Sequence, residues 1–163
     1  MTDAERIAKL EAELAACRAL QGKRRSLPHH RRFFGLIDAA FQNWNHDHEF
    51  QPDDAKHLRA YLLCRAGYRQ SREVPVAYSD GNPALAKLTA IAVEAALKEA
   101  GAYAFIRPHP DGGSIAVYRA KSIKWSELPQ KDFAPLAEAV EQIIEAELGV
   151  DAETLLREQE RAA

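Results

Sequence analysis

From residue 33 onward, apolar side chains recur every three or four positions: Phe33, Ile37, Phe41 and Trp44, with Leu36 and Ala40 beside them. That period belongs to a helix with one buried face. Ser26 is placed to cap its first turn, and Pro28 fits there because the first helical amides have no partner to lose. A second helix is expected after Pro52, Asp53 and Asp54, running through Leu58, Tyr61, Leu62 and Arg65 to Gly67. The two form a hairpin joined by the loop "NHDHEFQ". Ahead of them, residues 2–21 carry Ile7, Leu10, Leu14 and Cys17 at 3-4-3 spacing, a narrow coiled-coil-like stripe that Gly22 ends.

After Arg72 the period shortens. In "EVPVAY" Val74, Val76 and Tyr78 alternate as in a short strand, and Pro75 argues for an edge position. "SDGN" follows as a turn, and Asn82 and Pro83 open a third helix with apolar positions Leu85, Leu88, Ile91, Ala92 and Ala95, closed by Gly101. "AYAFIRP" and "SIAVYRA" flank "HPDGG", the strongest hairpin signal in the chain, and "SIKW" extends the second strand. A long helix from about Pro129 to Leu148 turns Phe133, Leu136, Val140, Ile143, Ile144 and Leu148 inward and stops at Gly149; Asp151 starts a last short helix. The expected architecture is α+β, mainly helical with one small antiparallel sheet. Its parts are an N-terminal amphipathic helix (1–22), one α+β domain (23–150) and a short C-terminal helix and tail (151–163).

Composition sets this within ordinary soluble domains: 163 residues, 47% hydrophobic and 28% charged. No apolar run approaches membrane-span length, "MTDAERIAKLEAEL" lacks a signal-peptide pattern, and Cys17 and Cys64 have no partner at disulfide or zinc spacing. A reducing cytoplasm is the expected location. The net charge of -2 conceals an asymmetry. Residues 23–72 hold ten Lys/Arg against five Asp/Glu, whereas residues 126–163 hold three against ten. Separate basic and acidic blocks point to a polyanion-facing surface and to an acidic one facing solvent or a protein.

The basic block is the first candidate for chemistry. Lys23, Arg24 and Arg25 precede a helix N-terminus, where free amides and the helix dipole favour anions, and Arg31 and Arg32 follow in its first turns. Arg59, Arg65, Arg69 and Arg72 extend this surface from the neighbouring helix. Arg107, Arg119, Lys121 and Lys124 alternate with Tyr68, Tyr103, Tyr118 and Trp125. Cations interleaved with rings suit a single-stranded nucleic acid, whose exposed bases stack while its phosphates pair. A second candidate is His46, Asp47 and His48, residue types that hold a divalent metal for water activation, although they lie in a loop and match no HExxH or paired Cys/His pattern. No catalytic residue and no cofactor is assigned. The stripe Ile7, Leu10, Leu14 needs a cover, and a second copy is the expected one.

"RRSLPHHRRFFGLIDAAFQNW", "QPDDAKHLRAYLLCRAG" and "KSIKWSELPQKDFAPLAEAVEQIIEAELGV" resemble a phage and prophage protein family from recombination and replication regions. More distantly they are similar to the lambda NinB (Orf) recombination proteins. Arg25, Ser26, Leu27 and Arg31 match that pattern, as do Asp132 and Phe133 ahead of the long helix; His29 and His30 stand where those proteins have amides. The resemblance spans roughly residues 23–150. It implies a dimeric mediator that binds DNA, preferring single strands or junctions, alongside single-strand-binding and strand-exchange or annealing proteins. Two other readings stay open. One is a phage inhibitor of a host defence or recombination complex, with "EAVEQIIEAELGVDAETLLREQE" as an acidic DNA-imitating surface. The other is a metal-dependent nuclease at the loop histidines.

Overall fold

The structure, a computed structural model, describes residues 6–7, 9–15, 27–76, 81–124 and 126–162. Residues 9–15 are helical and carry Leu10 and Leu14 exposed, as Ile7 is. The Ser26 cap, the Gly22 stop, Cys17, Tyr78 and the first half of "SDGN" lie outside the described residues.

Helix α1, Leu27–Gln42, takes Pro28 in its first turn and buries Phe33, Leu36, Ile37, Ala39 and Ala40. Trp44 follows, buried, with its indole Nε1–H donating to the Phe50 carbonyl at 2.9 Å. Helix α2, Ala55–Arg65, is capped by Asp54, whose Oδ1 accepts the His57 amide at 2.7 Å. Strand β1, Arg69–Pro75, begins before the Val74 alternation and is exposed along its whole length. Helix α3, Pro83–Glu99, starts at Asn82, whose Oδ1 accepts the amides of Ala84 and Leu85 at 3.0 and 3.4 Å.

Strands β2, Phe105–Pro108, and β3, Ser114–Ala120, form the expected hairpin, and β1 joins antiparallel to give the order β1-β3-β2. Pro75 therefore ends an edge strand. Gly112 in the hairpin turn has φ 74°, and a Cβ there would come within 2.6 Å of the Asn82 carbonyl carbon, so only glycine lets the turn sit against the start of α3. Pairing stops at Ala120: Ser122, Ile123 and Lys124 of "SIKW" do not continue β3, and Lys121–Lys124 run as irregular chain, Trp125 lying outside the described residues.

Helix α4, Gln130–Leu148, buries Phe133, Leu136, Val140 and Ile144 and closes on Gly149 in the left-handed region, φ 68°. Helix α5, Ala152–Ala162, lays Ala152 and Leu155 into the same core. One cluster joins α1, α2, α4 and α5, with Phe33 edge-on to Phe133 at 5.2 Å between ring centroids.

The sheet lies between this helical core and α3. Strand alternation turns Phe105 and Tyr118 to the α2 side and Ile106, Ile115 and Val117 toward α3. Helix α3 meets the sheet through its small residues Ala86 and Ala90, which are buried. Half-buried Val93 and Leu97 continue that inner face, whereas Leu88 and Ile91 point away, 64% and 57% exposed. The stripe expected from Leu85, Leu88, Ile91, Ala92 and Ala95 is the outer face of this helix. Among the described residues no helix is long and apolar enough to cross a membrane.

Candidate nucleic-acid interface

Where α1, α2 and the end of β3 converge, an open groove of about 550 Å³ is lined by His30 and Phe34 of α1, by Lys56, Arg59, Ala60 and Leu63 of α2, by residues 101–103 after α3, and by 119–124. The positions follow from helical geometry. His30 and Phe34 are one turn apart, and residues 56, 59, 60 and 63 form one stripe of α2 opposite the core-facing Leu58 and Leu62. Among the described residues five Lys/Arg side chains face the groove, Lys56, Arg59, Arg119, Lys121 and Lys124, and no carboxylate lines it.

Two rings in this groove are held in place. Phe34 lies 5.0 Å beneath the Arg59 guanidinium and 4.6 Å from the His30 ring. Tyr103 stacks on buried His57, with centroids 4.5 Å apart and planes 7° from parallel, and its hydroxyl donates to Asp54 Oδ2 at 2.7 Å. The carboxylate beside it raises the pKa of the Tyr103 phenol. Burial lowers that of Arg59, although a guanidinium remains charged throughout the physiological range.

Beneath Tyr103, Lys98 Nζ contacts both Asp53 oxygens at 2.8 and 2.7 Å, and His57 Nδ1 lies 2.9 Å from Asp53 Oδ2. The Lys98 hydrogen bond is the main cause holding Asp53 below the usual carboxylate range, against the opposing effect of burial. At Asp54 burial opposes the charge most strongly, but the His57 amide and the Tyr103 hydroxyl together outweigh it and lower the pKa. These bonds tie the start of α2 to the end of α3 and so fix one wall of the groove.

The basic residues singled out in the sequence divide into separate groups. Arg59, Arg119, Lys121 and Lys124 come together in the groove. Lys121 also lies 5.7 Å over the Tyr68 ring, and Lys124 is 3.7 Å from Glu127. Arg69 and Arg107 lie instead on the opposite sheet face from Arg119, in a recess with Tyr61, Phe105 and Tyr118, where Arg69 is 4.5 Å over the Tyr118 ring. Arg32 does not join them, because its guanidinium forks onto Glu141, with Nη2 to Oε1 at 3.1 Å. Arg65 is likewise paired with Glu147. Arg31 is exposed on α1 outside the groove lining, and Lys23, Arg24, Arg25 and Trp125 lie outside the described residues.

Lys56 and His30 are groove residues that sequence reasoning missed. For Lys56 a signal was present, since it stands three residues before Arg59 and so one turn away on the same side of the helix.

The loop residues His46, Asp47 and His48 do not converge. His48 Nδ1 accepts the Phe50 amide at 2.9 Å and its Nε2 lies 3.1 Å from Glu147, while Asp47 donates its amide to Asn45. Among the described residues no group of three or more His, Cys, Asp or Glu is arranged to hold a metal ion. In the acidic segment Glu141, Glu145 and Glu147 are engaged within the chain, Glu145 accepting the Ala152 amide at 2.9 Å. Comparison with protein-family models, with curated proteins and with solved structures finds no match to this chain.

Proposed function

We propose that the protein binds single-stranded nucleic acid, with the phosphate backbone lying along the groove between α1, α2 and the end of β3. One observation carries the reading: five Lys/Arg side chains from two chain segments line one open groove that has no carboxylate among the described residues and holds the rings of Phe34 and Tyr103. Converging cations, of which Lys124 alone has a carboxylate within ion-pair distance among the described residues, favour a polyanion, and rings set among them give unpaired bases a stacking surface that duplex DNA, with its bases inside, does not use. The resemblance to phage recombination proteins supports the same assignment and gives it a setting, a cytoplasmic accessory factor that handles single-stranded or junction DNA beside single-strand-binding and strand-exchange proteins. No step of chemistry on the nucleic acid is assigned to it.

Fluorescence anisotropy with a labelled single-stranded oligonucleotide tests the reading. Replacing Lys56, Arg59 and Arg119 together by Ala should weaken binding at least about a hundredfold at low salt and flatten its salt dependence by about two in log-log slope, at roughly 0.7 per lost phosphate contact. A folded triple variant with the affinity and slope of the parent would remove the groove from consideration.

A further inference from the structure

We propose that the outer face of α3 is a two-fold interface on which a second copy of this chain packs its own α3 antiparallel. The proposal is independent of the nucleic-acid reading, because the residues concerned lie outside the groove.

Ala84, Leu88, Ile91 and Ala95 follow one another at 4-3-4 spacing, the a and d spacing of a two-helix seam, and all four are exposed. Helix α3 presents them rigidly. Its inner residues Ala86 and Ala90 lie close on the sheet, Asn82 caps its start against the Gly112 turn, and Lys98 ties its end to Asp53.

The sequence of the stripe favours a second copy of itself in one orientation. Laid antiparallel about its centre, it sets Leu88 against the other copy's Ile91 and Ala84 against the other copy's Ala95, with large residues in the middle and small ones letting the ends close. Lys87 and Glu94 are seven residues apart, so they lie on the same flank of this stripe. The antiparallel pair brings Lys87 of each copy to Glu94 of the other, twice over. A parallel two-fold pair would carry Lys87 and Glu94 of the two copies to opposite sides of the seam and make neither contact, so charge favours the antiparallel arrangement. Two helices about 25 Å long cover less than a standard interface of roughly 1,600 Å², so the pair is expected to be weak and to form in a concentration-dependent way.

Light scattering across a micromolar concentration series tests this with the full-length chain. The parent should approach twice the monomer mass. Leu88→Lys and Ile91→Lys, at positions that already face water, should give monomers with unchanged circular dichroism. Lys87→Glu and Glu94→Lys should each weaken the dimer about tenfold or more, and the double exchange should restore it to within about threefold, since it recreates both contacts with the signs reversed. A monomeric parent overturns the proposal. So does a dimer that survives Leu88→Lys, including one that dissociates only when residues 1–21 are deleted and is thus held by Ile7, Leu10 and Leu14. Failure of the double exchange to recover either single loss overturns the antiparallel pairing.

Discussion

At the scale of single residues, the arginines of α1 and α2 look alike in sequence but differ in what already occupies them. Arg32 is forked onto Glu141, whereas Arg59 lies over Phe34 at the wall of the groove. Arg32→Ala should therefore leave nucleic-acid affinity within about twofold and cost about 1 kcal/mol of stability, in the range of a partly exposed ion pair. Arg59→Ala should do the reverse, weakening binding about tenfold with little change in melting temperature. Anisotropy and thermal denaturation on the two variants check both halves.

The carboxylates beneath Tyr103 give a second prediction at this scale. Asp53 and Asp54 have lower pKa values in the folded chain than in the unfolded one, so the folded state binds their protons less readily. Their stabilisation is present above the ordinary aspartate value of about 3.9 and is lost as pH falls through the folded value. The melting temperature should be flat above about pH 5 and fall below about pH 4. Changing both to Asn, which preserves the cap at position 54, should shrink that acid drop. A melting profile of the same shape in the double variant would count against this assignment.

Among the elements, α4 places Phe133, Val140 and Ile144 fully buried in one cluster with α1 and α2. Phe133→Ala should cost about 3–5 kcal/mol, read as a shift in the urea midpoint. The elements with one clear period were legible beforehand: α1 through Phe33, Ile37 and Trp44, α4 through its inner face, and the hairpin through Asp111, Gly112 and Gly113. Strand β1 was found only in part, because "RQSR" is exposed on both faces and carries no alternation to detect. Helix α3 was legible as a helix but the face it buries was not, since hydrophobicity marks a stripe without saying what covers it. Here Ala86 and Ala90 go inward because close approach to the sheet requires small side chains. The groove was half visible: the basic residues could be counted, but whether a given arginine faces open space or a glutamate 109 residues away is a matter of tertiary packing.

Over the whole molecule, the basic and acidic blocks partly cancel across the α1–α4 and α2–α4 contacts, where Arg32 meets Glu141 and Arg65 meets Glu147. Lys56, Arg59, Arg119, Lys121 and Lys124 meet in the groove while Arg31, Arg69 and Arg107 lie outside it, and that meeting of five cations is the central claim. Ultraviolet crosslinking of a single-stranded oligothymidylate to the full-length protein, with the adducts mapped by peptide mass spectrometry, tests it most directly. Adducts should fall on Phe34, on Tyr103 and within residues 119–124. Adducts confined to α4, α5 or the loop around His46 to His48 would contradict the account.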